Sequence, residues 1–306
     1  MEFEATEALV RRAGRHWVLH PQFMTEVEGI IRYVRRMPET PSVFSGWRPA
    51  TNGSWPASRD KLIFKRAAAR LGVRVPAYSE DDDGGGMTDV VVKRASGSFG
   101  EHVRGPFRSP MERPLKVADG EFYERFIAGA MLKVWYCNDR AVALERDLIT
   151  MLAGDGVSTV RQLVERRLDS QVVPVPTSRT LLMARIGELL AYDGRQFEDV
   201  LPIAGRQAIE FRYGSELGQA SNRSTVDLAV PPPEWQVLAD LGAGFASLIP
   251  REVGQCAIYT VDAIQDDDGQ LWFLEMNANP IIHPLAYAPM LEALLREPAS
   301  MLVPAP

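Results

Sequence analysis

Asp262, Glu275 and Asn277 carry side-chain oxygens that could bind a cation, and they lie on either side of an acidic turn. The turn is the segment 266–269, DDDG, which separates two apolar runs rich in β-branched and aromatic residues. An Asp-Gly pair between such runs is a strong signal for a β-hairpin. If the last two residues of the segment form the loop, Asp262 lies directly opposite Glu275, and Asn277 shares their face.

Two carboxylates on facing strands repel each other, and this repulsion favours a cation bound between them. Carboxylate and amide oxygens together suit Mg²⁺ better than zinc. The alternative is an acidic strand face that is merely solvated. The hairpin pattern alone leaves both interpretations open.

The stretch 273–284, FLEMNANPIIHP, resembles the closing motif of ATP-grasp ligases. In that family a Glu-x-Asn pair on one strand and an Asp on its neighbour hold the magnesium ions of ATP. Asp262, Glu275 and Asn277 match these positions, and Asn279-Pro280 follows as in the glutathione synthetase and cyanophycin synthetase branch. The resemblance implies ATP and two Mg²⁺ ions as cofactors, with Mn²⁺ as a possible substitute.

Composition is that of a soluble globular enzyme. The chain has 306 residues, 46% hydrophobic and 24% charged, with a formal net charge of −6, and this range is ordinary for such proteins. The sequence has no basic stripe that would predict nucleic-acid binding. It also has no apolar run of roughly 18 residues that would predict a membrane span. The acidic start MEFEATEALVRR is unlike a secretory signal, so we expect a cytoplasmic protein. Cys137 and Cys256 are far apart in sequence and predict neither a disulfide nor a zinc site.

The N-terminal region, residues 1–57, gives the weakest signals. Apolar residues recur at helical spacing between Phe23 and Met37, which predicts a helix. The region is either a reduced substrate lobe or a strap along the main domain, and the sequence does not choose between them.

The segment SRDKLIFKRAAARLGVRVPAY predicts a capped helix that begins at Ser58 and stops at Gly72. It resembles the entry segment of ATP-grasp proteins, in which an Asp-Lys pair begins the helix. The resemblance implies that Lys61 reaches the nucleotide phosphates. Without it, a lysine in the first turn of a helix is most simply a solvated surface residue.

A short buried strand, DVVVK, is followed by the small residues RASGSFG. Backbone amides can approach phosphates closely where side chains are absent. Glycines after a strand also mark ordinary turns. In order with the other motifs, the segment resembles the ATP-grasp flap, which closes on the β- and γ-phosphates. The resemblance implies that the nucleotide is bound by Lys93, Ser96, Gly97, Ser98 and Gly100.

The stretch from Glu121 to Ala143 predicts three strands separated by a bend at Gly129 and an Asn-Asp turn. It resembles the hinge between the ATP-grasp lobes, where backbone groups contact adenine; the matching residues are Glu124, Arg125, Phe126 and Ile127. Two positions depart from the family pattern. Met131 stands where an acidic residue usually binds the ribose, and Lys133 replaces the usual Arg.

Two arginines are candidates for catalysis. Arg146 leads into a Gly-Asp-Gly turn and a Thr-capped helix, a pattern that resembles the cyanophycin synthetase branch, and a guanidinium there could hold the transferred phosphoryl group. The alternative is an arginine paired at the surface. Arg212 matches the family's Arg strand and could stabilise a tetrahedral intermediate, although the paired glycines that usually follow are missing. His283 could contact substrate or make a structural hydrogen bond.

Together these segments predict an α/β protein with the ATP-grasp fold, in which two α+β lobes grip ATP. The predicted parts are the N-terminal region 1–57, a first lobe at 58–128 with the glycine flap, and a second lobe at 129–306 with the metal site.

The predicted function is an ATP-dependent, ADP-forming carboxylate-amine ligase that makes an amide bond through an acyl phosphate. One alternative is a ligase that joins side chains of a ribosomal peptide by amide or ester bonds. Another is a nucleotide-binding scaffold without turnover. Expected partners are an amino acid or peptide substrate, a leader peptide or partner protein, and a second copy of the chain in a dimer, with neither nucleic acid nor membrane.

Overall fold

The computed structural model describes residues 7–12, 15–27, 30–49, 53–97, 103–116, 119–170, 178–211, 217, 223–253 and 256–296. Within these ranges the strands form four sheets, and helices lie between and against them. The α/β fold class predicted from the sequence is therefore confirmed. Among the helices of these ranges, none has the length and apolarity needed to cross a lipid bilayer.

The N-terminal region folds as an antiparallel sheet of four strands, β1 (Ala8–Arg12), β2 (Arg15–Val27), β3 (Ile30–Val34) and β4 (Ser42–Arg48). Strand β2 pairs with each of the other three. The helix predicted between Phe23 and Met37 is wrong, because β2 and β3 pair there from Phe23↔Val34 to Val27↔Ile30. Isoleucine and valine favour strands, and a helical spacing over one short stretch could not outweigh that preference.

A second antiparallel sheet follows, with the strand order β5-β8-β6-β7. Its elements are α1 (Pro56–Arg59), α2 (Lys61–Arg70), β5 (Tyr78–Ser79), β6 (Val90–Arg94), β7 (Arg104–Phe107) and β8 (Glu121–Arg125), with 3₁₀ helices at Gly84–Gly86 and Pro110–Glu112. The N-cap of helix α2 lies two residues later than predicted. Asp60, rather than Ser58, is its N-cap, because its Oδ1 accepts hydrogen bonds from the amides of Leu62 and Ile63.

The third sheet has five antiparallel strands in the order β13-β10-β9-β14-β15. The elements of this part are β9 (Ala130–Cys137), β10 (Arg140–Asp147), β11 (Thr150–Ala153), α3 (Val160–Asp169), α4 (Arg179–Tyr192), β12 (Arg206–Glu210), β13 (Arg223–Thr225), α5 (Glu234–Asp240), α6 (Gly242–Ala246), β14 (Ile258–Gln265), β15 (Leu271–Asn277) and α7 (Tyr287–Arg296), with 3₁₀ helices at Arg251–Val253 and Pro284–Ala286. Strands β11 and β12 pair with each other in a fourth sheet.

One face of the five-stranded sheet forms the main core. Side chains of α2, α5 and α6, among them Phe64, Leu238 and Phe245, pack there against Leu132 and Val261 of the sheet. Each such buried side chain stabilises the fold by roughly 1.5–3 kcal/mol. The opposite face packs partly against the N-terminal sheet and α7. The rest of that face is free to carry polar groups.

Gly129 lies at the bend between β8 and β9, as predicted. A Cβ atom at this position would lie 2.2 Å from the carbonyl oxygen of Gln265, at the end of β14. No larger residue fits this close approach. The bend therefore fixes where β9 enters the sheet.

The two cysteines are close in space although they are far apart in sequence. The Sγ atoms of Cys137 and Cys256 are 3.9 Å apart, and both cysteines are free thiols. Cys137 is buried and Cys256 half-buried. Their proximity was not predicted, because it arises from the pairing of β9 with β14.

Candidate nucleotide and metal site

A line of polar side chains crosses all five strands of the third sheet. The strand registers place Thr225 opposite Glu145, Glu145 opposite Lys133, Lys133 opposite Asp262, and Asp262 opposite Glu275. Residues at one register position on neighbouring strands face the same side of a sheet. These five residues are called the polar row below. The predicted pairing of Asp262 with Glu275 is confirmed.

The turn that joins β14 to β15 differs from the predicted two-residue loop. The carbonyl of Asp266 accepts a hydrogen bond from Gly269, and its amide donates to Gln270. Three residues therefore separate Asp266 from Gln270, and Gly269 adopts a φ of +77°, which favours glycine. This longer loop shifts the register by one, so that Gln265 pairs with Leu271.

A β-bulge restores the predicted register. Asp262 pairs with Glu275 and Ala263 pairs with Phe273, so Leu274 is an extra residue in β15 without a partner position in β14. Because the bulge adds one residue to β15, Phe273 and Met276 both face the core although they are three positions apart. Glu275 is thereby directed to the polar face.

Lysine ammonium groups contact both carboxylates of the hairpin. Lys133 Nζ lies 2.7 Å from Asp262 Oδ1, and Lys61 Nζ lies 2.9 Å from Glu275 Oε2. The amide nitrogen of Asn277 donates to Asp262 Oδ2 at 3.2 Å. The predicted repulsion between the carboxylates is thus offset by lysines in the ligand-free chain.

The two carboxylates are held in different electrostatic states. Burial and the nearby Glu275 raise the pKa of Asp262, although Lys133 opposes this. Burial opposes ionisation of Glu275 as well, but the charges of Lys61, Lys93 and Lys133 outweigh it and lower the pKa of Glu275. Glu275 is therefore the more readily ionised member of the pair.

A second charged group, which was not predicted, lies between helix α2 and the second sheet. Lys65 Nζ lies 2.5 Å from Glu124 Oε2, and Lys93 Nζ lies 2.5 Å from Glu124 Oε1. The Lys65 side chain is 0% exposed and that of Glu124 is 3% exposed. Burial opposes ionisation of Glu124, yet the two lysines lower its pKa; burial lowers the pKa of Lys65. We call these three residues the buried triad.

Lysine is scarce in this chain and is concentrated at the site. The sequence has five lysines among its 34 basic residues. Four of the five, Lys61, Lys65, Lys93 and Lys133, lie within 3 Å of a carboxylate of the polar row or the buried triad. The fifth, Lys116, is exposed on a loop. Lysine carries a compact charge on a flexible stem, whereas arginine is a rigid fork. This scarcity is the sequence signal that could have identified Lys65 and Lys133.

Lys61 also connects the hairpin to the start of the predicted flap. Its Nζ donates to the carbonyl of Gly97 at 2.7 Å, and its amide donates to the carbonyl of Ala95 at 2.8 Å. Ser96 and Gly97 are exposed beside it. Ser98 and Gly100 lie outside the described residues. Phosphate binding by this segment stays a prediction.

Part of the segment predicted to contact adenine already uses its backbone groups in hydrogen bonds within the protein. Glu124 pairs with β5 on one side and β6 on the other. The amides of Arg125 and Phe126 donate to protein carbonyls at 2.8 and 2.6 Å. Contact of Glu124, Arg125, Phe126 and Ile127 with adenine stays a prediction.

The structure does not bring Arg146 to the polar row. Arg146 follows Glu145 in β10 and pairs with Leu132 of the core face, so its side chain leaves the sheet on the other side. There it forms an ion pair with Glu234 at the start of α5. Arg212 lies outside the described residues. A catalytic role for either arginine stays a prediction.

His283 contacts the opposite end of the polar row. Its Nδ1 accepts a hydrogen bond from the amide of Leu285 at 3.1 Å, and its Nε2 lies 3.1 Å from Thr225 Oγ1 and 3.7 Å from Glu145 Oε1. Burial lowers the pKa of His283 despite Glu145. Both ring nitrogens are used within the protein, which favours the structural alternative for this residue.

The donor set of the hairpin fits Mg²⁺. Asp262, Glu275 and Asn277 place two carboxylates and an amide at adjoining positions of one polar face. Mg²⁺ is usually held by one or two carboxylates together with substrate phosphates. In the described part of the chain, no group of three or more His, Cys, Asp or Glu side chains is arranged to hold a metal.

Solved structures similar to this chain are ATP-grasp ligases. A bifunctional glutathione synthetase from Pasteurella multocida is 15% identical, with a TM-score of 0.36, over 85% of this chain and 36% of its own. A D-alanine–D-alanine ligase from Bacillus anthracis, complexed with ATP, is 13% identical, with a TM-score of 0.42, over 78% of this chain and 65% of its own. The ATP-grasp ligase PsnB, complexed with a minimal precursor, is 13% identical, with a TM-score of 0.39, over 78% and 60%.

No protein-family model matches the chain, and no curated protein matches it. The chain spans little more than a third of the length of the glutathione synthetase and less than two thirds of the other two proteins. The activity, substrates and partners of a whole protein are therefore proposals for this chain.

Proposed function

We propose that this chain is an ATP-dependent, ADP-forming carboxylate-amine ligase of the ATP-grasp type. One observation carries the proposal: four of the chain's five lysines gather around the carboxylates of Glu124, Asp262 and Glu275. A site with several mobile positive charges next to oxygen ligands for Mg²⁺ has the groups that bind a triphosphate. A merely solvated acidic face would not recruit nearly all the lysines of the chain.

The residues would act as follows. Asp262, Glu275 and Asn277 would hold Mg²⁺, which supplies charge neutralisation on the phosphates. Lys61 and Lys93 would offset the charge of the phosphoryl group during an in-line attack by a substrate carboxylate. The products of that step are an acyl phosphate and ADP. An amine then attacks the acyl carbon, and inorganic phosphate leaves as the amide forms.

We propose that the N-terminal sheet is a substrate lobe rather than a strap. Its strand β4 packs onto the segment that follows the metal hairpin: Arg48 donates to the carbonyl of Pro280, and the amide of Ile282 donates to Ser45 at 2.8 Å. The Trp47 amide donates to the Tyr287 hydroxyl at 3.0 Å. A folded sheet attached at this place could form one wall of the pocket beside the metal ligands.

A peptide substrate is the second candidate, and the N-terminal sheet favours it. Phe44 is 45% exposed, and its ring lies 5.5 Å from that of Phe23 and 6.0 Å from that of Trp47. Phe23 and Trp47 are half-buried, so the three rings form a partly exposed aromatic cluster, and contiguous apolar surface can mark an interaction site. An extended peptide could lie on this surface, whereas a single amino acid would not need it.

The test combines nucleotide binding with product detection. ATP with Mg²⁺ at about 100 times its dissociation constant is expected to raise the free energy of unfolding by about 2.7 kcal/mol, visible as a shift in Tm. A mass-spectrometric screen of amino acids and peptides should then show condensation products together with ADP. No Tm shift with any nucleotide would contradict the proposal. Tight binding without turnover for any substrate would favour the scaffold.

A further inference from the structure

Three of the oxygens that fit Mg²⁺ are already engaged by groups of the protein. Lys133 Nζ donates to Asp262 Oδ1, the Asn277 amide nitrogen donates to Asp262 Oδ2, and Lys61 Nζ contacts Glu275 Oε2. The Asp262 side chain is 9% exposed and that of Glu275 is 23% exposed. A divalent ion that binds Asp262 Oδ1 and Glu275 Oε2 must therefore displace two ammonium groups.

The charges of the site balance without a metal. Four lysines face four carboxylates, because Glu145 of the polar row and Glu124 of the buried triad add to the two of the hairpin. A metal ion alone would leave an uncompensated positive charge, and a triphosphate alone would leave a negative one. Both are costly in a partly desolvated place. A nucleoside triphosphate with two magnesium ions carries no net charge and avoids both costs.

The side chain of Lys133 can reach a second carboxylate, that of Glu145. The register places Lys133 between Asp262 on β14 and Glu145 on β10, directly opposite each of them. Side chains at directly opposed positions lie close enough to interact. The ammonium of Lys133 can thus move from Asp262 to Glu145 while its backbone stays paired on both sides.

We propose that Lys133 is a positioning residue that reserves Asp262 for a divalent metal arriving with nucleotide. Lys133 holds Asp262 in the ligand-free chain and moves toward Glu145 when the metal binds, so the metal binds poorly without nucleotide. This rests on the proposed function and deepens it, because it specifies how metal and nucleotide binding are coupled. Coupling of this kind is reciprocal, so the metal raises nucleotide affinity by the same factor.

The test measures metal affinity without turnover. Binding of Mn²⁺ is followed by the electron paramagnetic resonance signal of the free ion, with and without a non-hydrolysable ATP analogue. For the unsubstituted protein, we expect the analogue to tighten Mn²⁺ binding by at least about 10-fold. Lys133→Gln should tighten Mn²⁺ binding without nucleotide by about 10-fold and reduce the coupling.

Two variants serve as controls for Lys133→Gln. Lys133→Arg keeps a cation beside Asp262 and should exclude Mn²⁺ like the unsubstituted protein. Lys116→Gln removes an exposed lysine away from the site and should change nothing. If Lys133→Gln does not fold, Lys133→Met is read in the same way, because it also removes the ammonium group beside Asp262.

The inference and the proposed function fail in different ways. Equal Mn²⁺ affinity with and without nucleotide in the unsubstituted protein would overturn the inference and leave a nucleotide site in place. Weaker or unchanged Mn²⁺ binding in Lys133→Gln would overturn it as well. Absence of Mn²⁺ binding in all variants even with the ATP analogue would overturn the proposed function, and the inference with it.

Discussion

The polar row and the buried triad use the same chemistry in two different ways. In the triad one carboxylate, Glu124, receives two lysines, and its side chain is 3% exposed. At the hairpin end of the row each carboxylate receives one lysine, and Glu275 is 23% exposed. Removing one partner of a buried ion pair leaves an uncompensated charge, whereas water can replace a partner at a more exposed pair.

This difference separates a permanent group from an exchangeable one. In the triad, Glu124 and Lys65 are paired where both side chains are almost fully buried, and Glu124 also holds Lys93 near the end of β6. Under the proposed function, the lysine partners of the hairpin carboxylates would instead leave when phosphates and metal ions take their places. We therefore expect changes in the triad to affect mainly stability, and changes in the row to affect mainly the proposed ligand binding.

The largest expected effect is on turnover, from a change in the row. Glu275→Gln keeps the shape of the side chain but removes the charge that the metal needs, so kcat should fall about 100- to 1000-fold, a loss typical of groups that stabilise transition-state charge. The free energy of unfolding without ligand should change by less than about 1 kcal/mol, because relief of repulsion with Asp262 opposes loss of the Lys61 pair. Steady-state kinetics and urea denaturation measure the two quantities. Retained activity would remove Glu275 from the metal site.

A change in the triad should have the opposite profile. Glu124→Gln leaves Lys65 buried without a counter-charge, and it should lower the free energy of unfolding by about 3–5 kcal/mol. Denaturant midpoints at neutral pH measure this. Glu80→Gln is the matched control, since Glu80 pairs with Arg66 where both side chains are about half exposed, and its midpoint should not move. A small effect of Glu124→Gln would show that the triad is no more permanent than the row.

The stability difference between the unsubstituted protein and Glu124→Gln should depend on pH. The pKa of Glu124 lies below its ordinary value, because its two lysines outweigh burial. A group with a depressed folded-state pKa contributes stability above its unfolded pKa and loses it as the pH falls through the folded value. The gap in stability between the unsubstituted protein and Glu124→Gln should thus be constant near neutral pH and shrink below about pH 4. Urea titrations at several pH values test this, and a gap that grows on acidification would contradict the assigned direction.

The hairpin and the N-terminal sheet show what the sequence could and could not predict. Local turn chemistry and strand composition predicted the hairpin, and the pairing of Asp262 with Glu275 came out right because a longer turn and a bulge cancel. The strands β2 and β3 were mistaken for a helix, since apolar spacing over a short stretch fits both. The contacts of Lys65 and Lys133 depend on pairing between distant strands and helices, which no local pattern contains.

The smallest expected effect lies outside both charged groups, and it tests whether activity simply follows stability. Thr159 caps helix α3: its hydroxyl accepts from the amide of Gln162, whose side chain accepts from the Thr159 amide in return. Thr159→Ala removes one half of this capping box and should lower the free energy of unfolding by about 1 kcal/mol. Because α3 packs beside β11 and contributes no residue to the row or the triad, kcat should stay unchanged while the denaturant midpoint falls. Thr159→Ser keeps the hydroxyl and should behave like the unsubstituted protein. A loss of turnover in Thr159→Ala would mean that activity depends on global stability, and the turnover loss of Glu275→Gln could then no longer be attributed to the metal ligands alone.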